Sequence, residues 1–437
     1  MIKDLTLHNR DQQVIQAINE NNAELDAPAR KKKFTAMAES PYRFFRGTSH
    51  LFWQDMYNDW RFALFGGVAG TQTWIQGDAH VYNFGAFANH DGEVIYGLDD
   101  FDDAVVSDYQ YDLWRLAISL VLDTRANGNF DDSTCAKALE SLVKGYLKTA
   151  TDYSKDDLER EVHYTADTAN KPLKKFLQKV GRKKGRKRML DKWTHLQKNG
   201  KRVFDASNPK LKRLSPVARK RFVEAFEAYR EKREQGHEHD FYRLKDVVRR
   251  VSAGTGSLGT MRFYALIEGE DGTQNNDIIL DIKAQGGPSL LLAMSEPELQ
   301  AYRRVYPNEG VRHEAAFRAL AEHPDRYLGW LEFEDQVFSV RERSPFKDDF
   351  PTDKLDKKKH FLKMASIWGE VLATEHKRAS RPLNPDQPFM FEKSLKKLTK
   401  DREGEFVALV GAIATHYAEC VERDFQTFLD AFEPSTN

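Results

Sequence analysis

Asp78 is followed five positions later by Asn83, and the triplet Asp100-Phe101-Asp102 lies about twenty residues further on. These residue types suit phosphate chemistry on ATP. Phosphoryl transfer needs a carboxylate to orient or deprotonate the acceptor, and oxygen ligands to hold magnesium on the phosphates. A loop with Asp-x-x-x-x-Asn, then a strand, then Asp-Phe-x, provides both. Magnesium prefers oxygen donors and keeps several of its waters, so one Asn and one Asp suffice as protein ligands. The plainer reading is two acidic strand-to-loop turns, since Asp and Asn favour turns anyway.

A second constellation lies downstream. Gly254-Thr255-Gly256-Ser257-Leu258-Gly259 falls between the expected strand 247–251 and another that starts at Met261. In a dinucleotide-binding unit the last glycine would open a helix. Here a strand follows, which favours a hairpin that covers phosphates with backbone N–H groups. Gly254, Gly256, Ser257 and Gly259 are therefore candidate nucleotide-binding residues. Lys283 ends the next expected strand and is placed like the kinase strand lysine that contacts the α- and β-phosphates. Its expected partner is Glu314 on the following helix, with Glu309 and Glu322 as fallbacks. The parts run in an unusual order, because the Asp-Asn loop precedes the glycine loop and the lysine. Chain termini of compact domains often lie close together, so a circularly permuted fold is physically allowed.

These side chains need elements to hold them. Residues 10–40 read as charged helix. Residues 72–76 and 93–98 read as short buried strands, each ending in an acidic turn. Two helices follow over 109–149, with Leu113, Leu116, Ala117 and Leu120 at helical spacing. The runs 261–267 and 277–283, joined by a polar glycine-containing loop, predict a hairpin. Residues 294–322 read as helix, 336–340 as strand, and 359–379 and 403–431 as amphipathic helices. The aromatic cluster Phe44, Phe45, Phe52, Trp53, Tyr57 and Trp60 reads as core. Arg46 could reach a phosphate or brace Asp78 or Asp100, with bracing preferred, and His80 is expected to shape its loop by hydrogen bonding.

The chain has 437 residues, with 67 Lys+Arg against 67 Asp+Glu. That length suits two to three folding units or one bilobal enzyme. The balance is uneven. Residues 171–213 carry 17 Lys and Arg against Asp191 and Asp205 only. This block is either a solvated helical face or a surface for polyanions, with Trp193 and Phe204 the nearby aromatics for stacking on bases. Two cysteines, Cys135 and Cys420, make neither a disulfide framework nor a zinc site, and suit a reducing compartment. The charged start Met1-Ile2-Lys3-Asp4 does not read as a signal peptide, and no apolar run approaches a membrane span. The expectation is a cytoplasmic protein with no membrane span.

The stretch Ser40–Gly47, the motifs Gly77-Asp78-Ala79-His80 and Asn83-Phe84-Gly85, Asp100-Phe101-Asp102-Asp103 and Asp112–Ala117 together resemble the bacterial family known as domain of unknown function 2252. The later glycine loop, Lys283, Leu328-Gly329-Trp330 and the helix ending near His376 also fit it, so the resemblance spans most of residues 30–430. Asp99 and Asp103 depart from the family's usual Asn and Glu, and both keep oxygen ligands. That family is in turn similar to the protein-kinase-like superfamily, which includes aminoglycoside and choline phosphotransferases. The resemblance implies an α+β, circularly permuted, bilobal kinase-like fold with ATP and magnesium as cofactors. It implies Asp78 as base, Asn83 and Asp100 (with Asp102 beside them) as metal ligands, Lys283 as the phosphate lysine and Asp112 as a brace for the loop. The expected units are 1–150 with the acidic loops, 151–245 as a basic helical insert, 246–345 as a β-rich nucleotide lobe and 346–437 as closing helices. The expected function is an ATP- and magnesium-dependent phosphotransferase on an unknown, possibly anionic acceptor. Alternatives are a nucleotidyltransferase, a pseudokinase binding nucleotide or nucleic acid through 171–213, and a metallophosphoesterase using Asp78-x-His80 with Asn89-His90-Asp91.

Overall fold

A computed structural model describes residues 9–89, 92–152, 164–234, 242–251, 260–269, 272–321 and 324–432. The chain is of mixed α+β class. Its largest sheet has six antiparallel strands in the spatial order Gly329–Phe333, Gln336–Glu342, Ile278–Ala284, Arg262–Ile267, Leu244–Arg250 and Leu211–Arg213. Successive side chains of a strand point to opposite faces, and both faces of this sheet are buried. Phe263, Ala265 and Ile267 pack with Phe222, Phe226 and Tyr229 of the helix Pro216–Glu234. Tyr264 and Leu266 point the other way, onto Met189, Leu190 and Trp193. The expected hairpin over 261–283 forms in the register Arg262↔Lys283 to Ile267↔Ile278.

The block 151–245 differs from the helical insert expected of it. It contributes the hairpin Thr194–Leu196 with Arg202–Phe204, and the edge strand Leu211–Arg213 that pairs with Leu244–Arg250. The expected boundary at 245 thus falls within a strand of the large sheet. In its helix Leu173–Lys183, Leu173, Phe176, Leu177 and Val180 are buried while Lys175, Lys179, Arg182 and Lys183 are exposed. This is the solvated face of an amphipathic helix. Trp193 and Phe204 are buried, 3% and 0% exposed, so neither is available to stack on a base.

The remaining helices form a second core. Gln110 to Thr124 of the helix Gln110–Asn127 are all buried, surrounded by neighbours such as the helix Glu403–Phe432. Helices Asp132–Thr151 and Lys358–Ser380 lie tightly together because Gly369 meets the Leu142 carbonyl where a Cβ would come within 2.1 Å. Arg10 binds both Asp55, at 2.7 Å, and Asp424, at 2.6 Å, fastening the first described helix to the last. Phe44, Phe45, Phe52 and Trp53 are buried as expected, whereas Trp60 is 74% exposed and lies outside the core. No described helix is long and apolar enough to cross a membrane.

Candidate active site

Two strand pairings in the first half of the chain bring the acidic residues together. Gln72–Ile75 pairs with Val105–Asp108, ending on Ile75↔Val105, so the intervening segment leaves and returns at one point. The hairpin Phe84–Ala88 with Val94–Leu98 starts on Phe84↔Leu98, and the Asp99 N–H donates to the Asn83 carbonyl at 3.2 Å. The first pairing sets the Asp78 turn beside Asp103, and the second sets Asn83 beside the start of Asp100-Phe101-Asp102. Gly77 makes the first approach possible. Its φ is +82°, and a Cβ there would lie 2.1 Å from the Asp103 carbonyl oxygen. Gly77→Ala is expected to cost about 1–3 kcal/mol for the left-handed backbone alone, plus displacement of the Asp103 segment. Urea unfolding reads the stability loss.

The turn is also held from below. Asp112, in the first turn of Gln110–Asn127, accepts from the Gln76 N–H at 2.6 Å and the Gly77 N–H at 2.9 Å. It therefore braces the loop as expected. His376 Nε2 lies 3.2 Å from Asp112 Oδ2, its Nδ1 is 2.8 Å from the Tyr146 hydroxyl, and its carbonyl accepts from Thr73 Oγ1 at 2.7 Å. The end of the helix Lys358–Ser380 thus supports the strand that delivers Asp78.

Arg115, one turn beyond Asp112, is a side chain of the site that sequence reasoning did not single out. Its Nε donates to Asp78 Oδ1 at 2.7 Å, and its Nη2 donates to the same oxygen. The guanidinium is fully buried, 4.3 Å from the Phe45 ring centroid and 5.0 Å from that of Phe52. Burial pushes Asp78 up to about 6, and Asp103 adds to this, while Arg115 and Arg46 pull it down. Arg115 takes the bracing role preferred for Arg46, which forms no ion pair among the described residues. The His80 carbonyl shapes the loop by accepting from the Asn83 N–H at 2.9 Å, and the ring Nδ1 has no hydrogen-bond partner among the described residues. Asn83 Nδ2 points back to the Asp78 carbonyl at 3.4 Å.

The other half of the site comes from the sheet. Lys283, on the strand Ile278–Ala284, forms an ion pair with Asp102, 181 positions away in sequence. Gln285 Nε2 donates to the other Asp102 oxygen at 3.1 Å, and His313 Nε2 lies 3.6 Å from that oxygen. Burial opposes the Lys283 ammonium, but Asp102 and Asp100 outweigh it and raise its pKa. Burial likewise opposes the Asp102 carboxylate, and the Lys283 ammonium overcomes it and holds its pKa well below the usual range. Asp100 is raised by burial and by Asp102 beside it.

The expected Lys283–Glu314 pair is replaced by Lys283–Asp102. Glu314 binds Arg233 at 2.5 Å and Arg318 at 2.9 Å. The residue that the helix Glu309–Leu320 turns toward the lysine is His313, which burial keeps neutral with a pKa of about 3. Of the fallbacks, Glu309 binds Arg312 at 2.6 Å, and Glu322 lies outside the described residues. Arg312, fully buried, also donates to the Ala104 carbonyl at 2.9 Å and the Gly286 carbonyl at 3.3 Å. It thereby ties the segment after Asp102 to the segment after Lys283. Gly254, Gly256, Ser257 and Gly259 lie outside the described residues, as do His90 and Asp91.

Asp78, Asn83, Asp100, Asp102 and Lys283 all line one cleft of about 920 Å³, at the upper end of the roughly 300–1,000 Å³ usual for small-molecule sites. Among the described residues, no three His, Cys, Asp or Glu side chains are grouped as a metal-binding set. The model of one protein family matches residues 27–431, and its description is "Uncharacterized protein conserved in bacteria (DUF2252)". No curated protein and no solved structure matches the chain.

Proposed function

We propose that this chain, which belongs to the bacterial family DUF2252, is an ATP- and magnesium-dependent phosphotransferase with a circularly permuted kinase-like site. The observation that carries this reading is the convergence of Lys283 with Asp78, Asn83, Asp100 and Asp102 on one cleft from distant parts of the chain. The topology of the large sheet supports it. Counted from the strand before the glycine loop, its strands lie side by side in the order first, second, third, fifth, fourth, after the added edge strand Leu211–Arg213. Lys283 sits on the third, and the helices Glu296–Val305 and Glu309–Leu320 lie between the third and fourth in sequence. A kinase carries its phosphate lysine on the third strand, ahead of a helix that packs near it.

In this reading Lys283 contacts the nucleotide phosphates, and Asp102 holds the ammonium in place until they arrive. Asp78 accepts the proton of the acceptor hydroxyl, and a pKa near 6 leaves it ionised yet basic at neutral pH. Asn83 and Asp100 would hold magnesium. Asp100 fits that task, since it is half-buried beside another carboxylate and a cation would relieve the repulsion. Magnesium, when bound, supplies positive charge to the phosphoryl oxygens. The sequence Gly254–Gly259 is assigned to covering the phosphates.

A thermal-shift measurement tests the reading. ATP with magnesium is expected to raise the melting temperature by mass action, with a smaller rise without magnesium. Lys283→Met is expected to remove most of the shift. If no nucleotide moves the melting temperature of the native chain, the proposal falls.

A further inference from the structure

The cleft has a second wall that nucleotide binding does not use. It is built by the N-terminal helices: Lys33 comes from Ala27–Met37, Arg46 from Pro41–Gly47, and His50 from Ser49–Met56. Neither Lys33 nor Arg46 has a hydrogen bond or an ion pair among the described residues. Lys33 is only 9% exposed, and burial lowers its pKa. His50 is 2% exposed, and its Nε2 is buried with no hydrogen-bond partner. An unpaired ammonium and an unpaired imidazole nitrogen are costly to bury. The buried Lys33 ammonium and the buried His50 nitrogen, with the half-buried Arg46 guanidinium beside them, make a site whose counter-charge comes from outside the chain, His50 being neutral and able to contribute a hydrogen bond. The carboxylate on the same wall, Glu24, is exposed and stands at the rim. The wall also borders Asp78. Arg46 acts on Asp78 electrostatically, and Lys33 and Arg115 both act on His50.

We infer that the acceptor is a small oxyanion-bearing alcohol, whose phosphate or carboxylate group is held by Lys33, Arg46 and His50 while its hydroxyl faces Asp78. This rests on the phosphotransferase reading for what happens at the hydroxyl. There the hydroxyl oxygen bonds to the γ-phosphorus, the bond from that phosphorus to the β–γ bridging oxygen breaks, ADP leaves with the electron pair, and the hydroxyl proton passes to Asp78. Lys283 and Asp102 serve the nucleotide from other elements that line the same cleft.

The test is calorimetric titration of the full chain, first saturated with ADP and magnesium, with inorganic phosphate, with malate and with glycerol. Phosphate or malate is expected to bind and glycerol is not, and whichever anion binds more tightly identifies the acidic group of the acceptor. Arg46→Gln and Lys33→Gln are each expected to weaken the anion by at least about tenfold, the worth of one charge-assisted hydrogen bond. Melting curves select variants that remain folded, and Arg46, half-buried where Lys33 is only 9% exposed, is the safer of the two. The inference is overturned if neither anion binds, if glycerol binds as well as they do, or if both folded variants bind the anion as tightly as the native chain. The two proposals fail separately. Loss of ADP binding with Arg46-dependent anion binding intact would sink the phosphotransferase and leave the anion wall standing.

Discussion

An Asp78→Asn variant is expected to lose about 10²–10⁴-fold in magnesium-dependent ADP formation from ATP, the usual worth of a positioned general base. Its ATP-induced melting shift should be unchanged, because Asp78 is assigned to the acceptor and Lys283 to the phosphates. Asn retains an oxygen for Arg115 but cannot take up a proton. The pH profile carries the sign. Asp78 must be ionised to act, and its pKa lies at about 6, so native kcat/KM should climb from pH 5 through that value and level off above it. The residual rate of the variant should be flat across the same window. Product analysis checks the reaction class at the same time, since pyrophosphate in place of ADP marks nucleotidyl transfer. A variant as active as the native chain would remove Asp78 from the chemistry.

Much of this site was legible because its parts carry local signals. Alternating apolar residues with a glycine-containing loop announced the hairpin that ends on Lys283, and the strands 72–75 and 94–98 were marked by buried runs that stop at acidic turns. The strand Phe84–Ala88 was missed, although it follows Asn83 directly, because Gly85 and two alanines weaken its pattern. Val105–Asp108 was missed because only its two valines favour a strand and Ser107-Asp108 read as a turn. The choice between Glu314 and His313 was beyond sequence reasoning for a different reason. Adjacent helix positions are about 100° apart, so a small rotation set by packing decides which one meets the lysine. Packing turns His313 inward and leaves Glu314 to Arg233 and Arg318.

Arg115 was hidden for the same kind of reason. Periodicity locates the inner face of an amphipathic helix, but Gln110–Thr124 is buried on every side, and nothing in its pattern says which side holds the Asp78 loop. Once its place is known, its removal has a sharp consequence. Arg115→Met strips the buried cation from Asp78 and leaves the carboxylate without the two N–H donors on its Oδ1. Breaking a buried pair typically costs about 3–5 kcal/mol, and the low end is expected here because 23% of the Asp78 side chain stays open to the cleft. The cost should depend on pH. Without Arg115 the pKa of Asp78 in the folded chain rises further above its unfolded value. A raised carboxyl contributes stability at low pH that is lost as pH rises through the folded pKa. The gap in urea stability between variant and native chain should therefore widen from pH 5 to pH 8, and the acid limb of any remaining activity should move above 6. In the double variant Asp78→Asn/Arg115→Met no carboxylate is left to desolvate, so it should be more stable at pH 8 than Arg115→Met alone. An Arg115→Met chain with native stability and an unmoved acid limb would show that the guanidinium does not govern Asp78.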